Sequence, residues 1–392
     1  LPALTDDGTT IDGTTQTASQ GDTNPHGPEI ELDGTNSGDT ASGLVITSAD
    51  NTIKGLVINR FGGGTSWRDG RGIRIDGSSA TNNVVIGCYI GTDVSGEVAL
   101  GNVYGGVSIE DGASGNRIGG STPAERNLIA GTTTVVNVVT GNGVSIGHVG
   151  GPEIDNNDNT IKGNYIGTNR DGTAALPNAG YGIVIYKGTR NIIENNLISG
   201  NGSHGLLIQQ SRSRDNVVQG NYIGTDGSGQ VNLGNAGDGV RVDDGGQNNV
   251  IGPNNVIAHN SGDGVTVCHD TTTGNTITRN SITRNAGRGI KNHEGGNTEL
   301  ASPIINNVTA SRVSGTACAQ CRVEIFSDPE DEGQKYEGAT IADGAGNWTW
   351  AGLAIGPNVT ATATDGASNT SEFSSPTAVG YRIYLPIVLK NS

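Results

Sequence analysis

Few side chains in this sequence have types and spacings that do chemistry, and they fall in separate places. Trp67, Arg68, Asp69 and Arg71, followed by Arg74, set an aromatic ring among guanidinium and carboxylate groups. Such a group can stack on sugar faces and hold carboxylates. It is one loop with neither nucleophile nor base, so it reads as a candidate glycan-binding patch, with a solvated loop as the plain alternative. Asp328, Glu330, Asp331 and Glu332 crowd four carboxylates into one run. Hard oxygen donors of this kind suit calcium, and a solvated acidic loop is the alternative. Cys318 and Cys321 are spaced to close a small disulfide loop in an oxidising compartment. No set combines nucleophile, base and orienting partner, so no catalytic residue is assigned.

The elements that must position these groups follow from composition and rhythm. Glycine supplies 65 of 392 residues, while hydrophobic residues make up 33% and aromatic residues 4%. A chain this glycine-rich cannot fill one wide core, and at this length two domains or an elongated array is expected. The formal charge of −16 argues against nucleic acid as a partner, and no apolar run is long enough to span a membrane. The absence of methionine suggests a processed chain.

A repeat governs the first three-quarters. A glycine followed by apolar, any, apolar begins at Gly43, Gly72, Gly106, Gly143, Gly182, Gly205, Gly239, Gly264 and Gly289, at intervals from 23 residues (Gly182 to Gly205) to 39 (Gly143 to Gly182). Its second half opens at Asn51, Asn83, Asn116, Asn159, Asn191, Asn216, Asn249 and Asn275, each two residues before an apolar one. An apolar pair such as Tyr165-Ile166 or Leu197-Ile198 closes the unit. Strands this short are stable only when stacked, each pairing with its equivalent one coil away at about 4.8 Å. The eight asparagines then form one structural row, tolerating left-handed backbone and bonding from coil to coil. In this register His148 and His269 stand four coils apart, roughly 19 Å, too far to share a metal. His26, His204, His259 and His293 fall at turns or ends and read as solvated. Cys88 and Cys268 are about 29 Å apart and should stay unpaired.

Gly163-Asn164-Tyr165-Ile166-Gly167-Thr168-Asn169 and Gly220-Asn221-Tyr222-Ile223-Gly224-Thr225-Asp226, with a degenerate copy at Gly87-Cys88-Tyr89-Ile90-Gly91-Thr92-Asp93, resemble the repeats of secreted bacterial right-handed parallel β-helix proteins. The resemblance covers residues 1–300. It implies an all-β solenoid of nine or ten coils, outside the cell or at its surface. It does not decide activity, since such folds also host polysaccharide lyases, hydrolases and epimerases.

After Asn297 the asparagine corners stop and alternating strands begin. Residues 301–378 read as a small β-sandwich, and segments such as Gly346-Asn347-Trp348-Thr349-Trp350 resemble immunoglobulin-like modules. Residues 379–392 form an apolar tail in which Tyr381, Ile383, Tyr384, Leu385, Ile387, Val388 and Leu389 make a candidate assembly strand. The leading expectation is a non-catalytic structural or adhesive protein that self-associates head to tail into a filament or layer, joining its tail to unpaired terminal coils. The alternative is a polysaccharide-binding or polysaccharide-degrading β-helix protein, which requires ionisable residues stacked on adjacent coils. No cofactor is expected apart from calcium at the acidic run.

Overall fold

The computed structural model describes residues 1–38, 40–62, 69–133, 141–148, 150–151, 153–309 and 311–379. Each half-motif of the repeat becomes one side of a coil. The segments after the asparagines form a nine-stranded parallel sheet one, from Thr10–Asp12 to Thr276–Ile277. The apolar pairs form sheet two, from Ile30–Asp33 to Ser281–Thr283, and the glycine-led segments form sheet three, from Leu44–Ile46 to Ile290–His293. The result is a right-handed parallel β-helix of nine coils.

The core is narrow because each strand contributes one or two inward residues. Ile53, Val85, Ile118, Ile161, Ile193, Val218 and Ile251 stack in register in sheet one, all fully buried. Ile58, Ile90, Ile129, Ile166, Ile198, Ile223 and Ile257 do the same in sheet two. The motif glycines are set by close approach between coils. A Cβ on Gly182 would lie 2.6 Å from both the Gly205 carbonyl oxygen and Ile198 Cγ2.

The asparagine row is continuous. Asn159 Nδ2 donates to Asn191 Oδ1 at 3.0 Å and Asn191 Nδ2 to Asn216 Oδ1 at 3.0 Å, with parallel backbone N–H donations at each step. Two further ladders run Asn127, Asn164, Asn196, Asn221, Asn255, Asn280 and Asn178, Asn201, Asn235, Asn260, Asn285. Buried amides thus satisfy one another at three corners of the coil, as buried polar groups must.

The C-terminal part folds back as two antiparallel sheets. One holds Ile304–Thr309, Arg312–Thr316 and Asn347–Ala351, and the other Arg322–Asp328, Lys335–Ile341, Asn358–Thr364 and Thr377–Ala378. This part caps the last coil. Ile282 and Gly333 exchange backbone hydrogen bonds at 3.0 and 3.1 Å, Thr370 Oγ1 accepts from Ile277 N at 2.9 Å, and Glu324 accepts from Thr278 Oγ1 and Arg279 N. The sequence-based expectation of an unpaired coil edge at this end is therefore corrected: the chain's own C-terminal sheets occupy it. Tyr381, Ile383, Tyr384, Leu385, Ile387, Val388 and Leu389 lie outside the described residues, as do Trp67 and Arg68.

Candidate functional site

One side of the solenoid gathers ionisable and aromatic residues on successive coils. The amide of each motif glycine donates to the carbonyl of the residue just before the next motif glycine: Gly143 to Tyr181, Gly182 to His204, Gly205 to Asp238, Gly239 to Asp263 and Gly264 to Arg288. Tyr181, His204, Asp238, Asp263 and Arg288 therefore form a row along the edge of sheet three. Arg241 and Lys291 stand beside it, two coils apart, in register with Thr266 between them.

The row is held by its own contacts. The rings of Tyr181 and His204 stack with centroids 5.7 Å apart and planes 4° from parallel. His204 Nδ1 accepts the Asp238 backbone N–H at 2.8 Å, so a neutral ring keeps its proton on Nε2. Burial lowers the His204 pKa, against the pull of Asp238. Arg241 reaches Asp238 Oδ2 at 3.5 Å and Asp243 Oδ2 at 2.8 Å, and Lys291 reaches Asp263 Oδ2 at 3.4 Å. Arg288 in turn pairs with Glu372, so these cations are neutralised by carboxylates, and the ring N–H of His204 is a donor rather than a base.

Beyond Arg241 the strands end in a second group. Asp243 Oδ1 accepts from Cys268 Sγ at 3.0 Å and lies 2.5 Å from His269 Nδ1, while Sγ and Nδ1 are 3.6 Å apart. Burial opposes ionisation of Asp243, yet the bonds from Cys268 and Arg241 hold its pKa at about 2. Burial, then the bond to Asp243, pushes the Cys268 thiol well up. The bond to Asp243 raises His269.

The residues singled out from sequence are placed differently. Arg71 is buried and paired with buried Glu110 at 3.1 Å, so it is a packing group rather than part of an open glycan patch. Arg74 pairs with Asp76 at 3.5 Å, and Asp69 is half-buried. In the acidic run, Asp328 turns both oxygens onto the backbone N–H groups of Glu330 and Gln334. Glu332 is buried against Asn285. Among the described residues the group that brings three metal-ligating atoms within 4.8 Å of one another is Asp243, Cys268 and His269, and the acidic run forms no such group. Cys318 and Cys321 are disulfide-bonded, and Cys88 and Cys268 are free and buried. His204, expected in a solvated turn, is instead stacked and four-fifths covered. The signal for this row was present, because each member immediately precedes a motif glycine.

No curated protein sequence matches the chain. Among solved structures, a mutant of the periplasmic alginate epimerase AlgG is 13% identical over 64% of this chain and 60% of its own, with a TM-score of 0.31. The Dettilon tailspike protein is 18% identical over 90% of this chain and 68% of its own, with a TM-score of 0.37. The catalytic domain of an α-1,3-glucanase in complex with nigerose is 12% identical over 73% and 60%, with a TM-score of 0.28. Such low scores carry no inference about what this chain binds, and the match to the epimerase spans less than two-thirds of that protein. A family model described as periplasmic copper-binding protein (NosD) matches residues 58–238 and 126–351. The chain belongs to the NosD family.

Proposed function

We propose that this protein binds polysaccharide outside the cytoplasm, with an extended glycan lying along sheet three parallel to the solenoid axis. The observation that carries this reading is the row of Tyr181, His204, Asp238, Asp263 and Arg288 on adjacent coils. A polysaccharide-binding solenoid requires ionisable residues stacked on adjacent coils, and this row supports that reading. A polymer lying along the row meets one member per coil, about 4.8 Å apart, so successive units meet a ring, a carboxylate or a guanidinium in turn. The stacked rings give a flat apolar surface with one N–H donor, while the buried carboxylates of Asp238 and Asp263 accept the backbone N–H groups of Asp263 and Arg288 and hold the row in place.

Charge selects among glycans. Arg241, Lys291 and Arg288 are already paired with Asp238, Asp243, Asp263 and Glu372, and the chain carries a net −16, so a polyuronate is repelled while a neutral, hydroxyl-rich chain is not. With His204 protonated on Nε2, binding is favoured over chain cleavage. Affinity electrophoresis through gels containing neutral glucans, mannans or polyuronates tests this. Retardation by a neutral polymer, reduced at least tenfold in Tyr181→Ala, is expected. Equal mobility in every gel would overturn the reading.

The family description also names copper, and we carry copper binding to this chain as a second reading. The thiol, imidazole and carboxylate of Cys268, His269 and Asp243 favour it, because soft and borderline donors of this kind suit copper. Copper held there would supply a Lewis-acidic, redox-active centre.

A further inference from the structure

The group at the end of the row is arranged as a site. Asp243 and Cys268 are the last residues of strands Val240–Asp243 and Val265–Cys268 on adjacent coils. They follow the paired Val242 and Val267 and lie side by side. Consecutive residues of an extended strand point to opposite faces, yet His269 lies on the same side as Cys268, because its backbone is left-handed at φ 73°. That turn brings Nδ1 over both Sγ and Asp243 Oδ1. Glu294 Oε2 stands 3.1 Å from His269 Nε2, the outer carboxylate that fixes ring orientation in many metal sites.

Two other uses of the same residues fail on geometry. A Cys-His-Asp nucleophile needs the thiol at one ring nitrogen and the carboxylate at the other. Here Sγ and Asp243 Oδ1 both face Nδ1, and although Glu294 stands at Nε2, Cys268 is fully buried and its thiol donates to Asp243, so no substrate reaches it and the three atoms converge on a point. A disulfide has no partner, since the other free thiol, Cys88, belongs to the third coil of the stack and Cys268 to the eighth.

Convergence is what a metal ion requires. We propose that Asp243 Oδ1, Cys268 Sγ and His269 Nδ1 hold one borderline transition-metal ion, zinc or copper, with the fourth position open to solvent on the exposed side of His269. Ligand bonds of about 2.0 Å to nitrogen and oxygen and about 2.3 Å to sulfur fit the present separations once Asp243 and His269 part by about 1 Å. One carboxylate beside a thiol excludes a calcium or magnesium site, since those ions need several oxygen donors. Arg241, whose Nη2 is now 2.9 Å from Sγ, keeps its Nε bond to Asp243 Oδ2 and counters the ligand charge. The choice of copper rests on the second reading above; the site itself rests on the geometry.

Cobalt(II) titration of the intact chain reads thiolate ligation directly, through a sulfur-to-cobalt charge-transfer band. The expected result is a band saturating at one equivalent, suppressed by zinc, unchanged in Cys88→Ser and absent in Cys268→Ser. His269→Gln, at a partly exposed side chain, keeps the fold and should weaken binding at least tenfold, the scale on which even outer partners matter. No band in the wild type, or a band that survives in Cys268→Ser, would overturn the site. Competition with a copper(I) chelator under reducing conditions separates the two claims. Cobalt bound without copper removes the copper reading and leaves the site standing.

Discussion

Two positions on the same coils obey opposite rules. At the corner before sheet one, eight coils carry asparagine, from Asn51 to Asn275, each fully buried. Just before the strands of sheet three, the equivalent residues are Ser42, Arg71, Gly105, Asn142, Tyr181, His204, Asp238, Asp263 and Arg288. The corner excludes water, so its side chain must donate to one neighbour and accept from the other, which only a short amide does at that reach. The row reaches solvent at Tyr181, His204 and Arg288, with Asp238 and Asp263 buried between them, and it is free to vary. Constancy along a solenoid therefore marks support, and variation beside an invariant glycine marks the surface available for recognition.

The comparison breaks most visibly in the core beneath both positions. Ile161→Ala should cost about 2–5 kcal/mol, read from denaturant midpoints, since Ile161 is fully buried between Ile118 and Ile193. Next comes the cap. Burial raises Glu332 to about 7 from an ordinary 4.5. Because the folded value lies above the unfolded one, its stabilisation is fully present below pH 4.5 and is lost as the pH rises towards 7, by roughly 3 kcal/mol. Glu332→Gln should flatten that part of the stability profile, and an unchanged slope would show that other groups govern it. Asn191→Ala should cost about 2 kcal/mol by leaving Asn159 N and its side-chain amide unpaired, in keeping with the penalty for an orphaned buried group. Tyr181→Ala should change stability least, by under about 1 kcal/mol, while reducing glycan retention. A stability loss equal to that of Asn191→Ala would erase the distinction between corner and row.

The repeat and its register were legible because burial on three sides leaves few residue choices, and those choices recur as Gly, Asn and Ile. The three-sheet path follows directly from the glycine-led segment, the asparagine and the apolar pair. What escaped was the content of the variable row, since a repeat search discards positions that differ from coil to coil. His204 looked like a turn residue for that reason. The Asp243, Cys268 and His269 group was hidden by a backbone feature: alternation puts Cys268 and His269 on opposite faces, and the left-handed turn at His269 reverses this. The capped last coil was missed because its partners, Glu324, Gly333 and Thr370, lie about 46 to 93 residues further along the chain, beyond any local pattern.

The most direct test is the crystal structure of the full chain soaked with an oligosaccharide of the neutral polymer that retards it most strongly. Density for consecutive sugar rings along Tyr181, His204, Asp238 and Asp263, with the chain parallel to the solenoid axis, is the expected result. A sugar seated on sheet one or on the C-terminal sheets, with the row bare, would contradict the assignment of sheet three as the recognition face.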